Sequence, residues 1–186
     1  SSAASDVYKR QEEATEDFEK MAAMLPSEKP YLKTGVFTLA KNRIPWLLIL
    51  MLSSTITGAI LVKYETAFAA VPLLVSFIPM LMDTGGNSGS QSSTMVIRGM
   101  ALGEIEPSDV LKVLWKEIRV GFMVGFVLAV VNFIRLMIQY PGQVLICLTV
   151  VISLFCTVII AKTIGCVLPI AAKTIHLDPA IMASPM

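Results

Sequence analysis

The 186-residue sequence is 55% hydrophobic with a mean hydropathy of +0.71, and its 15 basic and 14 acidic residues leave a net charge of +1. That composition excludes an ordinary soluble globular domain. No basic run is long enough to hold a phosphate backbone, so nucleic acid is excluded as a partner.

Residues 1–28 read as a polar cytoplasmic tail, and SSAASDVYKRQ has no apolar core after a basic start, so no signal peptide is expected there. Residues 29–43 are predicted as a juxtamembrane amphipathic helix on the inner membrane surface, with Leu32, Val36 and Leu39 on one face; an extended linker is the alternative. Residues 44–186 form the predicted transmembrane domain. The first span is Ile44 to Val62, nineteen uncharged residues with Pro45 in the first turn and Trp46 at the interface.

Between Glu65 and Arg98 run thirty-two residues with a single charge, Asp83, near the middle. Wholly helical, they would be about 48 Å long, more than a bilayer needs. Pro72 and Pro79 remove backbone donors, so this second helix is expected to be kinked or broken. A carboxylate at mid-depth persists mainly where it faces water, an ion or a partner. Glycines beside it permit either irregular backbone or close helix approach.

The third span runs from about Val113 to Ile138, and after the turn signal Tyr140-Pro141-Gly142 the fourth runs from Gln143 to about Ala161 or on to Ile170. Cys147, Cys156 and Cys166 lie in apolar sequence without disulfide or metal spacing and read as small buried hydrophobes. After His176-Leu177-Asp178-Pro179 a fifth helix begins, capped by Asp178 with Pro179 at its first position. The fold class is thus an all-α polytopic helical bundle of about five transmembrane helices, the fifth truncated at Met186. Lysines and arginines cluster on one side (Lys33, Lys41, Arg43, Arg98, Lys112, Lys116, Arg119, Lys162 and Lys173) against Lys63 and Arg135 on the other. The N-terminus is therefore expected in the cytoplasm.

The chain from the second span onward resembles the MgtE family of magnesium channels and transporters. The resemblance rests on IPMLMDTGGNSGSQSSTMVIRGMALGEI (78–105), VLWKEIRVGFMVG (113–125) and LPIAAKTIHLDPAIMASP (168–185). EEATEDFEKMAAML (12–25) resembles the end of the cystathionine-synthase-like regulatory domain that precedes the membrane domain in this family. The resemblance implies Mg²⁺ as transported ion and possible bound ligand, a homodimer with its pore at or near the axis, residence in the plasma membrane, and no enzymatic activity. It also implies a pore aspartate further along the fifth helix than Met186, so a chain ending at Met186 is expected to conduct poorly or not at all unless that helix is completed.

Mg²⁺ is a small hard cation that prefers oxygen and sheds water reluctantly, so a pathway for it needs oxygen donors spaced for a hydrated ion. Asp83, Asn87 and Ser90 share one helix face at spacings of four and three and are the predicted pore lining. Thr84 and Gln91 add side-chain oxygens, and Gly85, Gly86 and Gly89 are placed to turn carbonyls inward. Ser184 lies on the element that the resemblance makes pore-lining. The competing view is that these small residues only let helices pack closely, above all Ser92 and Ser93. Asn132 and Arg135 read as a hydrogen-bonding and a snorkelling side chain, and Lys116 and Glu117 as solvated boundary residues. The alternative function is an intramembrane serine protease using Gly86-Asn87-Ser88-Gly89, whose serine would need His176 as base.

Overall fold

The computed structural model describes Lys20 and residues 31–183, and every regular element among them is helical. Five α-helices follow in order: α1 Val36–Lys63, α2 Glu65–Ala70, α3 Ile78–Ala101, α4 Val110–Gln139 and α5 Val144–Thr174. Short 3-10 turns occupy Tyr31–Lys33, Pro72–Phe77, Pro107–Asp109 and Pro179–Ala183. The all-α membrane architecture is borne out. The segments Val36–Lys63, Pro107–Gln139 and Val144–Thr174 are each long and apolar enough to cross a bilayer.

Local chemistry explains most boundaries. Helix α1 starts after Gly35 and continues through Pro45, so residues 36–43 join the span without a break. Nothing between Arg43 and Ile44 stops propagation, and extending an existing helix adds one hydrogen bond per residue. The expected break in the second helix falls at Val71, held at φ −138°, ψ 74° outside the helical region. The following Pro72 disfavours helical backbone at Val71. Pro79 sits in the first turn of α3, where its missing N–H costs no hydrogen bond.

The turn between α4 and α5 uses Gly142 at φ +88°, a conformation that side chains resist. His176, at φ 60°, ends α5 in the left-handed position usually taken by glycine. There the N–H of Leu177 donates to Ala172 O at 2.9 Å and that of His176 to Lys173 O at 3.2 Å. This double closure is the Schellman pattern. Two residues on, Asp178 Oδ1 accepts the N–H of Ala180 at 2.9 Å, as expected of the cap of the next element.

Helix α5 is the centre of the bundle, packed between α3 and α4. Apolar residues fill both ends of that packing. Val96, Ile97 and Met100 of α3 meet Cys166 and Ile170 at one end, and Phe77, Leu136, Cys147 and Val150 gather at the other. Phe77 and Tyr140 meet edge to face at 5.8 Å between ring centroids. Cys147 and Cys166 are buried, whereas Cys156 is exposed, correcting the expectation that all three are buried. A nine-residue step rotates about 180° around a helix, so Cys156 falls on the outer face of α5. No residue of α1 is buried.

Candidate functional site

Small residues bring α3 and α5 together. A Cβ added at Gly85 would stand 2.9 Å from Thr157 Cγ2, and one at Gly89 3.2 Å from the Ala161 carbonyl oxygen. Helix α4 uses the same device, with Gly121 against Ile159 at 3.4 Å and Gly125 against Phe155 at 3.1 Å. Glycines four apart let backbones approach closely where lipid supplies no hydrophobic drive between helices. Because α3 runs unbroken from Ile78 to Ala101, the carbonyls of Gly85, Gly86 and Gly89 stay in the helical ladder. Of the two roles the glycines allowed, the structure uses close approach.

With its back face fixed against α5, α3 turns its polar face outward. Asp83 and Asn87 are exposed, Thr84, Gly86 and Ser90 are half-buried, and no described residue hydrogen-bonds the Asp83 carboxylate or the Asn87 amide. Asn87 and Ser90 line one open groove together with Gln91, Thr94 and Met95. Gly86 and Ser90 also border a cavity of about 300 Å³ shared with α5 at Thr157, Ala161 and Gly165. The Ser90 hydroxyl donates to Ala183 O at 2.9 Å, so the element following Asp178 lies beside the polar face. Ser184 itself lies outside the described residues.

Among the described residues no three His, Cys, Asp or Glu side chains converge. What α3 offers is one carboxylate with amide and hydroxyl oxygens along a single face, a set suited to a cation that keeps its water.

The back of α3 holds what the sequence reading missed. Ser92 is 1% exposed, and its hydroxyl donates to Glu117 Oε2 of α4 at 2.6 Å. Lys162 of α5, 4% exposed, donates through Nζ to the same hydroxyl at 3.4 Å. Ser93 donates to Gly165 O at 2.7 Å. Lys162 is therefore not a solvated flank residue, and Glu117 is half-buried with a partner rather than freely solvated. Helix α5 continues twelve residues past Lys162 to Thr174, which puts the ammonium inside the bundle. The signal was a lysine well inside the most apolar helix of the chain, twelve residues before its end. Asn132 and Arg135 behave as expected, the guanidinium donating to Asn132 Oδ1 at 3.1 and 2.9 Å.

At the start of the last element Asp178 also pairs with Lys20, at 2.9 Å. Burial pushes the Asp178 carboxyl up, but the Lys20 hydrogen bond, the Ala180 N–H and the Lys20 charge outweigh it and hold the group below its ordinary value. Stability from such a lowered value is complete above the unfolded value of about 3.9 and is lost as pH falls through the folded value. At pH 7 the protein should therefore melt higher than Asp178→Asn, and the difference should shrink as pH falls below the unfolded value of about 3.9. A difference that ignores pH would mean that Asp178 acts by shape alone.

The protease alternative lacks its geometry. Ser88 is buried in α3 and His176 closes the end of α5, and among the described residues no hydrogen bond joins them.

Residues 78–186 match the family model described as "MgtE: Divalent cation transporter". Over 174 residues the chain is 33% identical to the magnesium transporter MgtE of Thermus thermophilus, 34% to that of Bacillus subtilis and 22% to that of Enterococcus faecalis. Each alignment takes in 94% of this chain and 38% of the relative, so the chain spans well under half the length of the curated relatives it matches. Transporters, not enzymes, are what it resembles.

Proposed function

The chain belongs to the MgtE family of divalent cation transporters, and from that premise we propose that it forms the pathway wall for hydrated Mg²⁺ crossing the plasma membrane. The observation that carries the proposal is the polar face of α3. Asp83, Asn87 and Ser90 line one side of a helix set in an apolar bundle, and the Asp83 and Asn87 side chains have no partner among the described residues. Outward-facing oxygens at that position suit an ion that passes with its hydration shell.

Three facing helices enclose no pore by themselves, so the reading includes a second copy opposite the α3 face. Helix α1, with no buried residue, leaves a further apolar surface for lipid or for that copy. In this reading the basic flanks lie in the cytoplasm together with the N-terminus. Asp83 supplies charge, Asn87 and Ser90 orient water, and Thr84 and Gly86 border the path. Ser184 would stand on the adjoining element.

The test is Mg²⁺-dependent growth of a bacterial strain stripped of its own magnesium uptake. Expression of the chain with its fifth helix completed should lower the Mg²⁺ needed for growth, and the same purified protein should pass Mg²⁺ into dye-loaded liposomes. Growth that stays dependent on high external Mg²⁺, with protein present in the membrane and liposomes that remain tight to the ion, would refute the reading.

A further inference from the structure

We propose that Glu117, Ser92 and Lys162 form a three-helix latch that sets the rotation of α3 about its own axis, and so decides where its polar face points. Ser92 follows Asp83 by nine residues, a rotation of about 180° on a helix. The serine is therefore on the back of α3 when Asp83 is on the front. Its hydroxyl takes a hydrogen bond from Lys162 Nζ at 3.4 Å and gives one to Glu117 Oε2 at 2.6 Å. One donor comes from α5 and the acceptor from α4, so α3 is held from both sides by a single group.

The need for such a device follows from the rest of the interface. Glycines at 85 and 89 and small side chains at 88, 92 and 93 make the back of α3 smooth. A smooth helix surface packs closely but resists rotation poorly, because few knobs enter holes. Directional bonds to charged groups supply the missing constraint, and buried polar groups are best attested as setters of register. Lys162 and Glu117 are of opposite formal charge, so the latch adds no formal net charge behind the face. They are positioning residues, and neither touches the groove lined by Asn87, Ser90 and Gln91.

The inference rests on the proposed function only for its consequence to transport; the rotation itself is measurable without transport. Gln91→Cys in a Cys156→Ala background places a thiol on the exposed face, while Cys147 and Cys166 stay buried. Its labelling by a water-soluble methanethiosulfonate reagent, in membranes carrying the full chain, reports how that face is presented. Glu117→Gln or Lys162→Met alone should change the labelling rate at least about fivefold, since each leaves the opposite charge of the pair inside the bundle without its counterpart. The double change, which removes both charges, should return the rate toward that of the parent. Ser92→Ala serves where a single charge change prevents folding, and should shift the rate in the same way. Equal rates in parent and Ser92→Ala, or no recovery in the double variant, would overturn the latch. Failure of Mg²⁺ uptake by the chain that keeps Gln91 and Cys156 would instead count against the proposed function and leave the labelling result standing.

Discussion

Gly165→Val should separate α3 from α5 and unfold the site while leaving the chain able to insert. A Cβ at Gly165 would collide with the Gly89 carbonyl oxygen and stand 2.9 Å from its carbon and 3.0 Å from its Cα. All three are helix backbone, which cannot swing aside as a side chain can. The helices must move apart, and with them goes the Ser93–Gly165 hydrogen bond of 2.7 Å. Overpacking costs about 1–3 kcal/mol and a buried unpaired hydroxyl about as much again. At about 2–4 °C per kcal/mol for a domain of this size, the melting temperature in detergent should fall roughly 10 °C. Gly58→Val is the matched control, because nothing lies within 4 Å of a Cβ there. Equal melting temperatures for the two variants would mean that the α3–α5 contact is misassigned.

That contact also shows how far the sequence could be read. The glycines at 85, 86 and 89 are visible in the chain, but two consequences were open: irregular backbone around an ion, or close helix approach. Only the facing residues decide between them, and Thr157, Ala161 and Gly165 lie seventy or more residues away. Spans, by contrast, depend on runs of neighbouring apolar residues, so α1, α4 and α5 could be placed to within a few turns. The break at Val71 was legible because Pro72 acts on the residue before it.

The same distinction explains Lys162. A lysine beside an apolar run reads as the end of a span, since a bare ammonium in hydrocarbon is costly. That reading fails when a partner arrives from another helix. Glu117 and Ser92 belong to segments far away in sequence, and their approach to Lys162 follows from how the three helices pack. The polar face of α3 was easier, because 83, 87 and 90 fall on one side of any helix through them. Which way that side points was not in the spacing.

Asp83→Asn should leave the fold intact and weaken the cation pathway. The carboxylate is exposed and no described residue hydrogen-bonds it, so an amide of the same shape strands no buried group. Thermal stability should stay within about 1 °C of the parent, as for most surface substitutions away from special features. The cation would feel the change directly. A unit charge about 4 Å from a divalent ion contributes about 2 kcal/mol even at the dielectric of bulk water, and more where water is scarce. At 1.4 kcal/mol per tenfold, the Mg²⁺ concentration for half-maximal flux should rise at least about tenfold. The effect should shrink in high salt, because an exposed charge is screened over about 10 Å at 0.1 M. A half-saturating concentration equal in both proteins, at equal protein per liposome, would remove Asp83 from the pathway. The oxygen wall would then consist of Asn87 and Ser90 alone, and attraction for the ion would have to come from a carboxylate on another element. The comparison of Asp83→Asn with Asn87→Ala separates the two cases, since a charge effect responds to ionic strength and an amide contact does not.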